Sequence, residues 1–261
     1  YYVRAYTPTD PREVGASQRH DGVWNDSRYR LVRGASGTVL GTRLGFVEID
    51  GLQIAGTVPG PGFRGIWSRN GFANGDVRIS NNIVVGPYNT TDSGVSWGIE
   101  VGGVDSTSAF HRVWNNIVYD MGTTPLSDGI IFYGSGRGYV CNNTIYGGDS
   151  CVSTGDGIVV AKNNVALDCR YGGDYDARST HNASSDGIPP GQSPILLSSD
   201  SPLDYFVGST DFHIDPLAPN ADKLIGAGAD LSTDGDWAFT TDIDGSPRSA
   251  PWEPGADEVD P

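Results

Sequence analysis

Asp242-Ile243-Asp244-Gly245, with Asp257 further on, is a grouping in this sequence whose residue types can do chemistry. Alternate residues turn two carboxylates to one side, and a third carboxylate would complete an oxygen-rich set for calcium. Asp242, Asp244 and Asp257 are therefore the candidate calcium ligands. The plainer reading is an Asp-rich turn bonded to its own amides. Glu100 and Asp120 with Arg112 offer a second chemistry, in which acidic residues hold a calcium ion and an arginine serves as a base; their spacing does not force them together. Trp97, Trp114 and Tyr119, with Tyr133 and Tyr146, offer a third, an aromatic face on which sugar rings stack. Cover under a loop competes with that role, because large aromatics usually find cover. His20, His111, His181 and His213 are scattered, with no ligand or triad spacing.

The elements that must position these residues are repeats. His111-Arg112-Val113-Trp114-Asn115-Asn116-Ile117-Val118-Tyr119 has near-copies around Asn81-Asn82, Asn142-Asn143 and Asn163-Asn164, and a weaker one around Gly51-Leu52. The second residue of the pair recurs at intervals of 30, 34, 27 and 21 residues. Two positions before each pair stand Ile49, Ile79, Val113, Val140 and Ala161; two positions after stand Ile54, Val84, Val118, Ile145 and Ala166. Immediately before the pair, Asp50, Ser80, Trp114, Cys141 and Lys162 vary freely. Fixed apolar columns beside a variable one mean alternating inner and outer faces, which is strand behaviour. The Asn pair marks a sharp bend, since Asn tolerates the left-handed conformation. Asn82, Asn116, Asn143 and Asn164 are expected to form a ladder, each amide bonded to the same position one coil away.

A second recurrence precedes the Asn copies: Gly65-Ile66-Trp67, Gly98-Ile99-Glu100, Gly129-Ile130-Ile131 and, less clearly, Gly157-Ile158-Val159. One coil thus holds about three short strands, and no coil buries its own apolar side chains, so coils must stack. The expected fold is all-β, a single-stranded right-handed parallel β-helix with irregular terminal caps. Residues 1–45 read as an N-terminal strand and loop cap, 46–170 as the solenoid, 171–210 as a covering loop and 211–261 as a C-terminal cap segment. The loops Pro87-Tyr88-Asn89-Thr90-Thr91-Asp92 and Gly103-Val104-Asp105-Ser106-Thr107 are the expected place for a site.

Over residues 45–170 the repeats resemble the right-handed parallel β-helix family of bacterial extracellular proteins. Asp211-Phe212-His213, Ala227-Gly228-Ala229-Asp230, Asp242-Ile243-Asp244-Gly245 with Pro247-Arg248, and Gly255-Ala256-Asp257-Glu258 resemble the C-terminal segment that ends many surface β-helix proteins. The resemblance implies an extracellular or cell-surface setting, in which that segment often precedes an anchor. The family includes polysaccharide-cleaving enzymes. The Asn-Thr-Asp, Asp-Asp, Gly-His-Gly and Arg-Ile-Lys signatures of its polygalacturonases are missing, and Asn89-Thr90-Thr91-Asp92 is a near miss.

Composition sets the remaining bounds. A net charge of −15 argues against nucleic acid and anionic membrane as partners. No apolar run reaches the roughly 18 residues of a membrane-spanning helix. The chain opens on Tyr1-Tyr2-Val3 without Met, which reads as a processed chain. Cys141, Cys151 and Cys169 have no metal-ligand spacing; Cys151 and Cys169 can pair across adjacent coils or remain buried thiols. Tyr1, Tyr2, Val3 and Tyr6 have strand propensity and little charge, so they are the candidates for end-to-end self-association, with folding back on the first coil as the competitor. The leading expectation is an extracellular structural or adhesive β-helix, surface-displayed or built into a head-to-tail fibre. A polysaccharide lyase and a non-catalytic carbohydrate-binding module are the alternatives.

Overall fold

The computed structural model describes residues 1–58, 62–70, 72, 74–88, 94–103, 109–134 and 136–259. Three strands make each coil. The first coil is β1 (Val3–Tyr6), β2 (Arg30–Arg33) and β3 (Thr38–Thr42). The second is β4 (Phe46–Asp50), β5 (Gln53–Gly56) and β6 (Phe63–Asn70), and the third β7 (Asp76–Ser80), β8 (Ile83–Val85) and β9 (Ser96–Gly103). The fourth is β10 (Phe110–Trp114), β11 (Ile117–Tyr119) and β12 (Ser127–Gly134). The fifth is β13 (Arg137–Cys141), β14 (Thr144–Tyr146) and β15 (Ser150–Thr154), and the sixth β16 (Ile158–Lys162), β17 (Val165–Leu167) and β18 (Arg170–Gly172). Short rungs β19 (Ala183–Ser184) and β20 (Ile195–Leu196) extend the stack.

Like strands of successive coils pair in parallel and form three sheets. The first sheet runs β1-β4-β7-β10-β13-β16, the second β2-β5-β8-β11-β14-β17-β19-β20, and the third β3-β6-β9-β12-β15-β18. Together they make a parallel β-helix. Inside it, Ile49, Ile79 and Val113 from the first sheet meet Ile54, Val84 and Val118 from the second and Ile66, Ile99 and Ile130 from the third. Each is at most 1% exposed, so every coil completes the core of its neighbour.

The two residues of each Asn pair do different work. The first takes the left-handed turn: φ is 53° at Asn81, 51° at Asn115, 50° at Asn142 and 55° at Asn163, with Gly51 at 69° in the weaker copy. The second points inward and builds the ladder. Asn82 Nδ2 donates to Asn116 Oδ1, Asn116 to Asn143 and Asn143 to Asn164, each at 2.9 Å. The same oxygens accept the backbone N–H of the rung before, at 3.0 Å for Asn82 and Asn116 and 3.1 Å for Asn143. The ladder has one rung beyond the recognisable repeats. Asn164 donates to Asn182 at 2.9 Å, and His181, with φ 52°, makes the turn. Rung spacing falls from 34 through 27 and 21 to 18 residues, so the helix tapers toward this end.

Three expectations change. Residues 1–45 do not form a separate cap, because β1, β2 and β3 supply one strand to each sheet and complete the first coil. The assembly segment pairs within its own chain, with Val3 beside Val47 and Tyr6 beside Asp50. Tyr2 packs edge-on against Phe46 and donates its hydroxyl to Asp76 at 2.6 Å, while Tyr1 is fully exposed. Folding back satisfies one edge of β1 locally, which a distant neighbour could do only at an entropic cost. Gly157-Ile158-Val159 is not a third-sheet copy either; Ile158 opens β16 in the first sheet. The third-sheet strand just before it is β15, where Cys151-Val152 stands in the Gly-Ile place. Cys151 faces inward there and forms a disulfide with Cys169 in the next coil, the Cα atoms 5.2 Å apart.

The ladder carries a measurable load. Asn116→Leu leaves the Asn82 N–H without an acceptor in the core and its Nδ2 with only the Ile49 carbonyl, at about 1–3 kcal/mol for an orphaned group. Urea unfolding should show a loss of about 3 kcal/mol with an unchanged m-value, whereas Asn25→Leu, at a half-buried turn where Asn25 Oδ1 accepts only from Ser27, should cost less.

Candidate functional site

The first Asn of each pair turns its side chain outward, and the C-terminal segment lies along that column. Asn115 Nδ2 donates to the Thr241 carbonyl at 2.7 Å, and Asn142 Nδ2 to the carbonyls of Glu253 and Gly255 at 3.0 Å. Asn163 donates to the Ala229 carbonyl and accepts the Ala229 N–H. Gly255, at φ 103°, passes so close that a Cβ would stand 2.9 Å from Thr144 Oγ1. Arg248 is the segment's own centre. Its guanidinium is buried and donates to Asn115 Oδ1, to the carbonyls of Glu253, Gly255, Ala256 and Asp257, and to Glu258 at 3.0 Å. Lys162, from the variable column, pairs with Asp234 at 2.6 Å and Asp236 at 3.3 Å. Cys141, from the same column, is a buried free thiol beneath Leu231 and Trp252.

The candidate calcium ligands divide. Asp242 accepts the N–H groups of Asp244 and Ser246 at 3.0 and 2.9 Å, so its carboxylate serves its own turn. His213 takes its place: one donor atom each from His213, Asp244 and Asp257 lies within 4.8 Å of the others. These three could hold a cation only if the imidazole gave up a proton. Both ring nitrogens already face carboxylates, Asp211 at 2.7 Å and Asp244 at 2.8 Å. The bond to Asp244 raises the imidazolium pKa to about 10 against the effect of burial. The geometry is that of an ion-pair lock holding the segment, with Ile214 N–H donating to Asp257 at 2.8 Å.

The aromatic trio is spread over three sheets. Tyr119 is buried on the second sheet against Phe212, at 5.4 Å between ring centroids. Trp114, on the first sheet, packs under Trp237 at 5.0 Å and Phe239 at 6.4 Å. Both are core of the docked segment. Trp97 alone lies on the outer face of the third sheet, partly exposed. The lyase grouping is likewise dispersed: Glu100 lies in β9 of the third sheet, Arg112 in β10 of the first, and Asp120 just after β11 of the second. Period-two reasoning puts a residue on a face but does not say which of three sheets owns it. The expectations placed on residues 89–92 and 104–107 lie outside the described residues.

The third sheet's outer face holds a denser set of functional groups. In register across it run three columns. The first is Thr38, Arg64, Trp97, Asp128 and Ser150; the second is Gly41, Trp67, Glu100, Ile131 and Ser153; the third is Arg69, Gly102 and Tyr133. Glu100 has no solvent exposure. It accepts Arg64 Nε at 2.7 Å and two nitrogens of Arg69 at 3.3 Å. Arg64 lies 4.8 Å over the Trp97 ring, and Arg69 stands 5.1 Å from Tyr133 and 5.9 Å from Trp67. Arg43 covers Trp67 at 5.4 Å. Glycine at 102 is required for this packing, since a Cβ would stand 2.0 Å from the Tyr133 carbonyl oxygen. Asp128 is 7% exposed, and burial, with Asp149 nearby, pushes its pKa up to about 6. Trp97 Nε1 and Ser153 Oγ favour its charge without completing a hydrogen bond. A surface of flat rings, fixed guanidiniums and a shielded carboxylate can bind a polyhydroxylated chain. The sequence held one signal for it: the residue after each Gly-Ile, Trp67 or Glu100, faces outward. Arg64, Arg69 and Asp128 gave none.

No protein-family model matches the chain, and neither a curated protein nor a solved structure is similar to it at a significant level.

Titration of the docked segment gives the site's test. Burial raises Asp257 to about 7 and Asp242 to about 6. A carboxyl raised on folding binds its proton more tightly in the folded chain, so stability rises as pH falls from about 7 toward 4. His213, raised to about 10, contributes fully below about 6.5 and loses that contribution as pH rises from there to about 10, so it adds to the same slope. Asp50 sets the acid limit: burial alone would raise its pKa, but Arg19, Asn81 and Ser80 outweigh that and lower it. Thermal melts should therefore show a higher Tm at pH 5.5 than at pH 7.5, and Asp257→Asn should flatten that slope. An unchanged slope in the variant would remove Asp257 as its source.

Proposed function

We propose that the chain is an adhesive β-helix of the extracellular space that holds a polysaccharide strand along the outer face of its third sheet. The observation that carries this reading is the alignment of Trp67, Trp97 and Tyr133 on one face, with Arg43, Arg64 and Arg69 set among them. Sugar rings present apolar faces to aromatics and hydroxyls to charged groups, so a surface alternating the two suits them. The disulfide between Cys151 and Cys169 supports an oxidising compartment. Binding without cleavage is favoured because Glu100 is sealed beneath two arginines and does not reach solvent. The fibre form of the adhesive role has less support, since the segment expected to join copies pairs with β4 of its own chain.

Affinity electrophoresis through gels containing neutral and acidic polysaccharides tests the reading. At least one polysaccharide should retard the protein. Trp97→Ala should weaken that retardation about tenfold, in line with roughly 1–2 kcal/mol for a partly exposed aromatic contact. Unretarded migration through every gel would overturn it.

A further inference from the structure

We infer that the third-sheet face selects sugar chains bearing carboxylates, with Arg64 as the discriminating contact and Glu100 as the positioning residue behind it. This inference rests on the polysaccharide-binding reading and narrows its ligand. Three guanidiniums, Arg43, Arg64 and Arg69, stand on this face against the carboxylates of Glu100 and Asp128. At neutral pH the face is left with an excess positive charge, on a chain whose net charge is −15. Elsewhere on the surface arginines tend to sit beside an acid: Arg4 by Glu48, Arg12 by Asp10 and Arg170 by Asp149. Arg43 pairs with no carboxylate among the described residues.

Arg64 is prepared for a second anion. Its Nε is bonded to Glu100 at 2.7 Å, so Glu100 fixes the plane of the guanidinium. The Trp97 ring, 4.8 Å away, supports that plane from one side. Among the described residues the terminal nitrogens of Arg64 have no acceptor, and its side chain is 28% exposed. A planar fork held this way matches a carboxylate in two-point contact, whereas a hydroxyl offers only one point. Because Glu100 is wholly buried and already neutralised, it does not repel an incoming anion as an exposed acid would. Asp128, beside Trp97, is placed to accept hydrogen bonds from hydroxyls of the same sugar.

The test uses the full chain with a polyuronate and its methyl ester, which share a backbone and differ in charge. Isothermal titration should show binding about tenfold tighter to the acid form, the size expected of one charge-assisted pair. Arg64→Ala should bring the ratio close to one, and Trp97→Ala should weaken both forms while lowering the ratio only in part, because Glu100 still fixes the Arg64 plane. Should loss of Arg64 unfold the protein by exposing Glu100, the double variant Arg64→Ala, Glu100→Gln removes the buried charge as well, and Arg43→Ala leaves the Glu100 cluster untouched. Equal affinity for acid and ester, lost in Trp97→Ala, would sink the inference and leave the polysaccharide reading standing. Binding to a sulfated galactan but not to the polyuronate would overturn the carboxylate class. No heat with any of the three would overturn the reading and the inference together.

Discussion

The buried amide ladder is the constraint on which the rest of this molecule depends. A chain that turns sharply between two strands leaves backbone N–H groups pointing into an apolar core, and each must find an acceptor there. The second Asn of each pair supplies one: its oxygen takes both the N–H and the side-chain amide of the rung before. Such an arrangement works only if successive coils stay in register, since one residue of slip would pull the oxygen away. Register in turn holds Ile49, Ile79 and Val113 in one inward column and Ile54, Val84 and Val118 in another. The ladder therefore fixes the turn, the register and the core together, and coil length is free to vary only in the loops.

The same bend produces an outward column, and that column decides how the chain ends. A residue in the left-handed conformation exposes its side chain and its neighbours' peptide groups at the corner of the helix. Asn115, Asn142 and Asn163 offer amides there, and residues 229–256 come back to meet them. Covering the corner makes two apolar clusters outside the helix. One lies on the second sheet, around Tyr119, Leu167, Phe206 and Phe212; a smaller one lies on the first, around Cys141, Leu231 and Trp252. The second-sheet strands are consequently buried on both faces, which is why Ile117-Val118-Tyr119 and Val165-Ala166-Leu167 read as unbroken apolar runs.

How much of this was legible follows from how far each contact reaches. The inward columns and the ladder are visible because they recur within one coil, and the repeat announces them. The roles of the first Asn are not visible, because its partners lie far along the chain: 126 residues separate Asn115 from Thr241, and 113 separate Asn142 from Gly255. The extra rung at Asn182 was hidden because His181 replaces the first Asn of the pair at the turn. Residues 1–45 looked like a cap because their coil carries no Asn pair, yet pairing β1, β2 and β3 needs only backbone. In the aromatic trio, alternation placed Trp114 in the outward column, but only the docked segment determines which rings it covers. The resemblance of the C-terminal segment pointed to its importance; Arg248 turns out to bind the segment to the helix at Asn115, while Asp257 holds the segment to itself at Ile214.

The location of the candidate face follows from the same packing. Two of the three outer faces are occupied, over much of their length, by the returning C-terminal segment. Among the described residues the third is not, and it also has the longest strands: β6, β9 and β12 have eight residues each against three to five in the strands they alternate with. Long strands in register give a flat, rigid platform, and side chains on it are spaced by the sheet rather than by flexible loops. On a surface fully exposed to water, an isolated buried Glu100 would be costly. Its survival there requires the two guanidiniums that cover it. Those arginines are in turn held over Trp67, Trp97 and Tyr133, so the charged and aromatic groups fix one another. A network of that kind adds little to the stability of a helix already held by its ladder. What it does provide is a preorganised array of planar groups at the open face, which a flexible polymer can adopt without the protein having to rearrange.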